Sequence, residues 1–314
     1  MLWNLAEEHG ISEFGASAKY YAACEKNGLK PGQSHGLDAL KAVLSTGSPL
    51  AHESFEYIYR DIKQDLCLSS ISGGTDIVSC FALGNPTLPV YRGELQCIGL
   101  GLDVAIFNDD GQPVVGEKGE LVCRNPFPCM PVGFWNDPED KRFRKAYFEQ
   151  FPGVWAHGDF GEIRQHPATD TTPEQRGMVI HGRADAVLNP GGVRIGTAEI
   201  YRQVEKVDAV LESLAVGQSW GDDVRVVLFV RLRDNVTLDE ALQQEIRDVV
   251  RRNTTPRHVP AKIIQVPDIP RTLSGKIVEL AVRNVIHGEP VKNREALANP
   301  EALEHFRDLP ELKE

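Results

Sequence analysis

Apolar and polar positions change rhythm twice along this chain. Residues 1–30 carry helical spacing. Ser12 is placed to cap a helix over residues 13–28 that stops at Gly28. "LDALKAVLSTG" then reads as a strand running into a glycine turn. Phe55, Ile58, Tyr59 and Ile62 return to helical spacing, and "DLCLSSISGGT" predicts a second strand ending in glycines. Helix and strand in alternation predict α/β architecture. From Arg92 to Ile163 short strand-like runs take over, with Asp109-Asp110-Gly111 as a hairpin turn, so a small β-rich subdomain is expected. "FWNDPEDKRFRKAYF" reads as a turn and a helix.

Beyond "GRADAVLNPGG" the pattern becomes a compact α+β unit. "AEIYRQVEKV" is helical, and "AVLESLAVGQ" and "VRVVLFVRLR" are strands around the turn Trp220-Gly221-Asp222-Asp223. Thr237 and Glu240 have capping-box spacing ahead of Leu238, Leu242, Ile246 and Val249. "AKIIQV" is a strand and "GKIVELAVRNVI" a last helix. The change of character puts a domain boundary near Asp185, and the sequence from Gly288 reads as a polar tail over the surface.

Composition narrows the function classes. The chain has 314 residues, about two domains by length, and a net charge of −11. No basic stretch is present, which excludes a nucleic-acid backbone as the main partner. Six scattered cysteines without a CxxC pair predict reduced thiols, and hence a cytoplasmic setting. No long apolar run predicts a membrane span, and "MLWNLAEEHG" lacks the layout of a secretion signal.

Two motifs fail on context. Gly32-Gln33-Ser34-His35-Gly36 fits G-x-S-x-G, but a nucleophile elbow lies between a strand and a helix. Here helical sequence and Pro31 precede it and a strand follows, so it reads as a loop. Gly275-Lys276 looks like the end of a phosphate loop, yet Pro270 and Ile277 stand where that loop needs Gly and Ser or Thr. More telling is an ordered set of glycine turns: "TGSPL" (46–50), "SGGTD" (72–76), "HGDFGEI" (157–163), "GRADAVLNPGGVRIGTAEI" (182–200) and "PRTLSGKI" (270–277). Each joins glycines, which let backbone approach a ligand, to one or two polar or charged residues.

As a set these turns resemble the adenylate-forming superfamily of acyl-CoA synthetases, luciferases and peptide-synthetase adenylation domains. "SGGTDIVSCFALGNPTLPVYRGELQCIGLG", "NPFPCMPVGFWNDP" and "NREALANPEALEHFRDLPEL" look like its acetoacetate–CoA ligase family in particular. The resemblance implies an acid–thiol ligase using ATP, Mg²⁺ and coenzyme A. Acetoacetate would be converted to acetoacetyl-adenylate and then to the thioester. A ligase for another short acid, or a non-catalytic remnant, are the alternative readings.

The resemblance also implies residue roles. Gly47 and Ser48 would lie against adenine, and Gly73 and Gly74 would line the acyl and α-phosphate region. Thr75 would bond the α-phosphate. Asp76, where the family more often has Glu, would hold the metal. Asp159 would accept from the ribose hydroxyls, and Arg183 would reach ribose or phosphate. Asp185 would be the hinge, Gly192, Arg194 and Arg251 would meet CoA, and Lys276 would bridge acyl carboxylate and α-phosphate. By the same resemblance, 1–184 is the end of the large AMP-binding domain, 185–288 the mobile C-terminal domain and 289–314 the tail. The family's Ser/Thr/Gly-rich loop for the β- and γ-phosphates, expected upstream of "TGSP", is not found in residues 1–46. The chain is therefore expected to be a C-terminal half, with a separate chain carrying the missing half as its candidate partner, and unable to adenylate alone.

Overall fold

The computed structural model describes every residue except 222, 274, 292 and 314. The chain divides into two compact units, Met1–Ile180 and His181–Glu314.

The first unit opens on a parallel sheet, β1 (Glu13–Ser17), β2 (Ala42–Thr46) and β3 (Cys67–Ser70), in that order. Helices α1 (Leu2–Glu8), α2 (Ala18–Lys26), α3 (Pro31–Ser34) and α4 (His52–Tyr57) accompany it, with Tyr21, Val43, Ile58 and Leu68 fully buried between them. The expected helix over 13–28 is split. Residues 13–17 pair with β2 instead, and Phe14 enters the core against Trp3, with ring centroids 4.3 Å apart. Tertiary pairing outweighs local helical preference here. Ser17 takes the capping role assigned to Ser12, its Oγ accepting from the Tyr20 N–H at 3.2 Å. The G-x-S-x-G stretch forms the single turn α3, and the Ser34 hydroxyl donates to the Lys30 carbonyl at 3.2 Å.

A small antiparallel sheet follows: β4 (Ser72–Gly74), β5 (Ser79–Leu83) and β6 (Cys97–Ile98). The glycines expected in a turn are thus inside a strand. A Cβ on Gly73 would lie 2.0 Å from the Ser79 carbonyl oxygen, so this pairing excludes a side chain there. The β-rich region is a five-stranded sheet of β7 (Val104–Phe107), β8 (Pro113–Val114), β9 (Lys118–Cys123), β10 (Trp155–His166) and β11 (Gln175–Arg183). Its order is β11-β10-β9-β7-β8. The predicted turn joins β7 to β8, with Gly111 at φ +72°. Helix α5 (Lys141–Tyr147) starts where the Asp137 carboxylate accepts from the N–H groups of Arg142 and Phe143 at 3.0 and 2.8 Å.

The second unit contains α6 (Thr197–Val204), β12 (Val210–Trp220), β13 (Asp223–Leu232), α7 (Glu240–Asn253), β14 (Lys262–Gln265) and α8 (Glu279–Ile286). Its sheet runs β12-β13-β14. Strand alternation splits the core. Val226, Leu228 and Val230 join the cluster holding Ile200, Leu242 and Ile246, while Val227 and Phe229 join the one holding Val282 and Val285. Of the predicted β12–β13 turn, Asp222 lies outside the described residues. The cap of α7 is Asp239, whose Oδ1 accepts from the Leu242 N–H at 2.8 Å, rather than Thr237. The last helix begins at Glu279, not at Gly275.

Residues 289–314 are not a surface tail. Phe306 is fully buried edge-on to Phe229, with centroids 4.7 Å apart, and Leu303 and Leu312 join the same cluster. The segment reads as polar because only Leu297, Ala302, Leu303, Phe306 and Leu312 among its described residues are buried.

Candidate functional site

In the first unit the predicted residues gather beyond the C-terminal ends of β2 and β3. Ligands of open parallel sheets bind at such ends. Gly47, at φ +89°, and Ser48 follow β2 and are exposed. β3 is its parallel neighbour, with Ser45 opposite Ser70, and leads into Ser72–Gly74. Thr75 and Asp76 form the exposed turn after β4.

Asp159 reaches the same place through an irregularity of β10. Ala156 pairs with Val122 but Phe160 with Glu120, so residues 157–159 bulge out of register. A bulge re-aims side chains, and here it carries His157, Gly158 at φ +81° and Asp159. Glu120 steadies it by accepting from the Gly158 N–H at 2.9 Å. Asp159 is buried. Its Oδ2 accepts from the Ser72 hydroxyl at 3.4 Å and lies 3.8 Å from His157 Nε2.

Gly74 is where the two segments meet. A Cβ there would lie 1.9 Å from Asp76 Oδ1 and 2.9 Å from His157 Cε1. The other oxygen of Asp76 accepts from the Tyr147 hydroxyl, and Tyr147 stacks on Trp155 with centroids 3.6 Å apart. Sequence reasoning missed Ser72, Glu120, Tyr147 and His157. His157 sat in the quoted "HGDFGEI"; for Tyr147 and Glu120 no local pattern exists, because each reaches the site from a distant element.

In the second unit, Arg183 and Asp185 are exposed and pair with each other at 3.7 Å, and the Asp185 carbonyl accepts from Arg283 at 3.4 Å. Gly191 and Gly192 adopt φ +57° and +77°. Their loop is held by Asp223, whose carboxylate oxygens accept from the Gly191 N–H at 2.8 and 3.0 Å. Arg257 donates to the carbonyls of Pro190 and Gly191 at 3.1 and 2.8 Å. Hydrogen bonds from the Gly191 and Val224 N–H groups pull the Asp223 pKa below the usual carboxylate range. Arg194 lies on the return from the loop, beside the Leu188–Ile195 bridge. Arg251 is in the last turn of α7, 3.8 Å from Asp248, so the guanidinium against the glycine loop is that of Arg257.

Lys276 is exposed at the end of a tight hairpin. Arg271 pairs with Ile277, the Thr272 N–H donates to the Lys276 carbonyl at 2.9 Å, and Gly275 takes φ +81°. Ser274 lies outside the described residues. Among the described residues no acidic side chain is within ion-pair distance of Lys276. Three residues on, Glu279 is enclosed. Its Oε1 accepts from the hydroxyls of Tyr201 and Thr197 at 3.0 and 3.4 Å, and burial pushes its pKa up. Glu279 also lines a cavity of about 290 Å³ with Leu188, Asn189, Arg283 and His287.

No group of three His, Cys, Asp or Glu able to hold a metal occurs among the described residues. No helix among them is long and apolar enough to cross a membrane.

Residues 202–276 match the AMP-binding enzyme C-terminal domain. The whole chain is 60% identical to acetoacetyl-coenzyme A synthetase of Rhizobium meliloti and 47% identical to acetoacetyl-CoA synthetase of Gallus gallus, covering 47% and 46% of those proteins. The chain thus spans about half the length of the curated relatives it matches. Among solved structures, acetoacetyl-CoA synthetase from Streptomyces lividans aligns over 98% of this chain and 46% of its own, at 41% identity and a TM-score of 0.87. An anthranilate CoA ligase bound to anthranoyl-AMP shares the fold, at 21% identity and a TM-score of 0.72 over 90% of this chain.

Proposed function

We propose that this chain, related along its whole length to the acetoacetyl-CoA synthetases and folded like the adenylate-forming enzymes, is the nucleotide- and thiol-handling part of an acetoacetate–CoA ligase. The observation that carries this reading is the meeting of segments 72–76 and 157–161 at Gly74, beyond the ends of parallel strands.

In the first half-reaction the acetoacetate carboxylate attacks the α-phosphorus of ATP and the bond to pyrophosphate breaks. Gly47 and Ser48 flank the adenine, and Gly73 and Gly74 admit the acyl group and α-phosphate. Thr75 donates its hydroxyl to an α-phosphate oxygen. Asp159 accepts from the ribose hydroxyls, each such bond to a charged group contributing about 1.5–3 kcal/mol, and Arg183 serves the ribose or phosphate. Asp76 suits Mg²⁺, being an exposed hard-oxygen ligand with one carboxylate oxygen already oriented by Tyr147. Magnesium is commonly held by one or two carboxylates plus substrate phosphates, so a single protein carboxylate suffices for this role. When bound, it would offset phosphate charge. Lys276 is carried on the second unit, hinged at Asp185, and brings its ammonium to the acyl carboxylate and α-phosphate. Losing such a preorganised charge costs about 3 kcal/mol, roughly a hundredfold in rate.

In the second half-reaction the CoA thiol attacks the acyl carbon and the bond to AMP breaks. Gly192 leaves room for the pantetheine arm, with Arg194 and Arg251 toward its phosphates.

The test has two arms on the purified chain. The first measures acetoacetate-dependent pyrophosphate release from Mg²⁺–ATP, with acetate and butyrate for comparison. The second measures thioester formation from synthetic acetoacetyl-adenylate and CoA. Transfer of acetoacetyl in preference to the other acids supports the reading. Absence of both reactions, together with no AMP or CoA binding by calorimetry, overturns it.

A further inference from the structure

The hairpin that presents Lys276 does not stand alone. A two-stranded hairpin of this size is marginal in water by itself. A third stretch of chain lies along it, from the segment after the last helix. Thr272 pairs antiparallel with Leu297, the Leu273 N–H donates to the Ala296 carbonyl at 3.1 Å, and the Ala298 N–H donates to the Arg271 carbonyl at 2.9 Å. Asn299 locks the junction. Its Oδ1 accepts from the Arg271 N–H at 2.9 Å, and its Nδ2 donates to Asp268 Oδ2 at 2.6 Å and to the Ile269 carbonyl at 3.1 Å. The Arg271 guanidinium in turn reaches Glu212 on β12 at 2.7 Å. Behind Asn299, Ala302, Leu303 and Phe306 are buried in the core of the unit.

We propose that residues 294–306 are a brace for the Lys276 loop and that Asn299 is its central positioning residue. The brace ties the loop to the hydrophobic core through one side chain that satisfies groups on three loop-proximal residues. A lysine on a long flexible stem gains from a fixed base, because less chain remains to be ordered when its ammonium meets a ligand. The catalytic side of this proposal rests on Lys276 meeting the acyl carboxylate and phosphate; the brace itself does not.

The test is Asn299→Ala in the 314-residue chain, read by amide hydrogen exchange of residues 270–277. Three hydrogen bonds are removed, so exchange there should accelerate about tenfold to a hundredfold. Helix α7, whose buried residues belong to the other core cluster, should exchange as in the wild type. If Asn299→Ala unfolds the whole unit, Asn299→Asp keeps the shape and the acceptor but removes the donor, and should loosen the same peptide selectively. Loop exchange within twofold of wild type in a folded variant overturns the brace. In acetoacetate-dependent pyrophosphate exchange, kcat should fall at least tenfold while the KM for ATP stays within twofold. A loosened loop with unchanged kcat overturns the positioning role. A wild-type chain with no pyrophosphate exchange leaves the ligase reading to its thioester arm, and the brace still stands or falls on amide exchange.

Discussion

Replacing Gly74 by alanine tests the centre of the first unit. The backbone accepts the change, since Gly74 is not among the glycines with positive φ. Space does not: the new Cβ would sit 1.9 Å from Asp76 Oδ1 and 2.9 Å from His157 Cε1. His157 is buried against Phe81, with ring centroids 4.6 Å apart, so the exposed Asp76 carboxylate must yield. It then gives up the bond from the Tyr147 hydroxyl. That loss costs about 1.5 kcal/mol, the low end for a charged acceptor because the pair is exposed. Residual crowding of His157 adds about 1 kcal/mol. The expected destabilisation is about 2.5 kcal/mol, or a Tm lower by about 5–10 °C for a unit of this size. Urea unfolding followed by tryptophan fluorescence reads it, because Trp3, Trp135 and Trp155 all belong to the first unit. Tyr147→Phe supplies the decisive comparison. If Gly74→Ala acts through Asp76, its cost in the Tyr147→Phe background falls by about 1.5 kcal/mol. Additivity within about 0.4 kcal/mol would refute the proposed chain from Gly74 through Asp76 to Tyr147.

Three further outcomes are expected. Phe306→Ala should destabilise the second unit by about 3–5 kcal/mol in calorimetry, as for a fully buried aromatic; a change below about 1 kcal/mol would mean that residues 289–314 are detached from the core. Asp239→Ala should cost about 1 kcal/mol in denaturant unfolding and Thr237→Ala much less, since Asp239 supplies the cap. Burial raises the Glu279 pKa, so the folded unit binds that proton more tightly than the unfolded chain. Its stabilising contribution is present below the unfolded value of about 4.3 and is lost as pH rises through the folded value. Glu279→Gln should therefore gain stability relative to wild type as pH is raised from about 4 to 8 in thermal melts. A pH-independent difference would show that Glu279 titrates normally.

Much of the chemistry was legible in short stretches. A glycine beside a hydroxyl or carboxylate is a local pattern, and it was enough to single out Gly73, Gly74, Thr75, Asp76 and Lys276 as candidates. Where the signal was non-local it failed. Residues 13–17 have helical neighbours, yet become a strand because β2 offers a ladder. Thr237 and Glu240 have capping-box spacing, yet Asp239 is the residue whose carboxylate meets a free N–H.

What the sequence by itself determined is the kind of side chain at each glycine turn and the change from a mixed α/β region to an α+β unit, because periodicity and glycine content act over a few residues. Only the tertiary structure decided that Asp159 reaches Ser72 through a bulge, that Tyr147 holds Asp76, and that the apparently polar C-terminal segment braces the loop of Lys276. Those contacts join residues from about 25 to 90 positions apart, and no local pattern encodes a meeting that depends on how strands pair and which few side chains the core takes in.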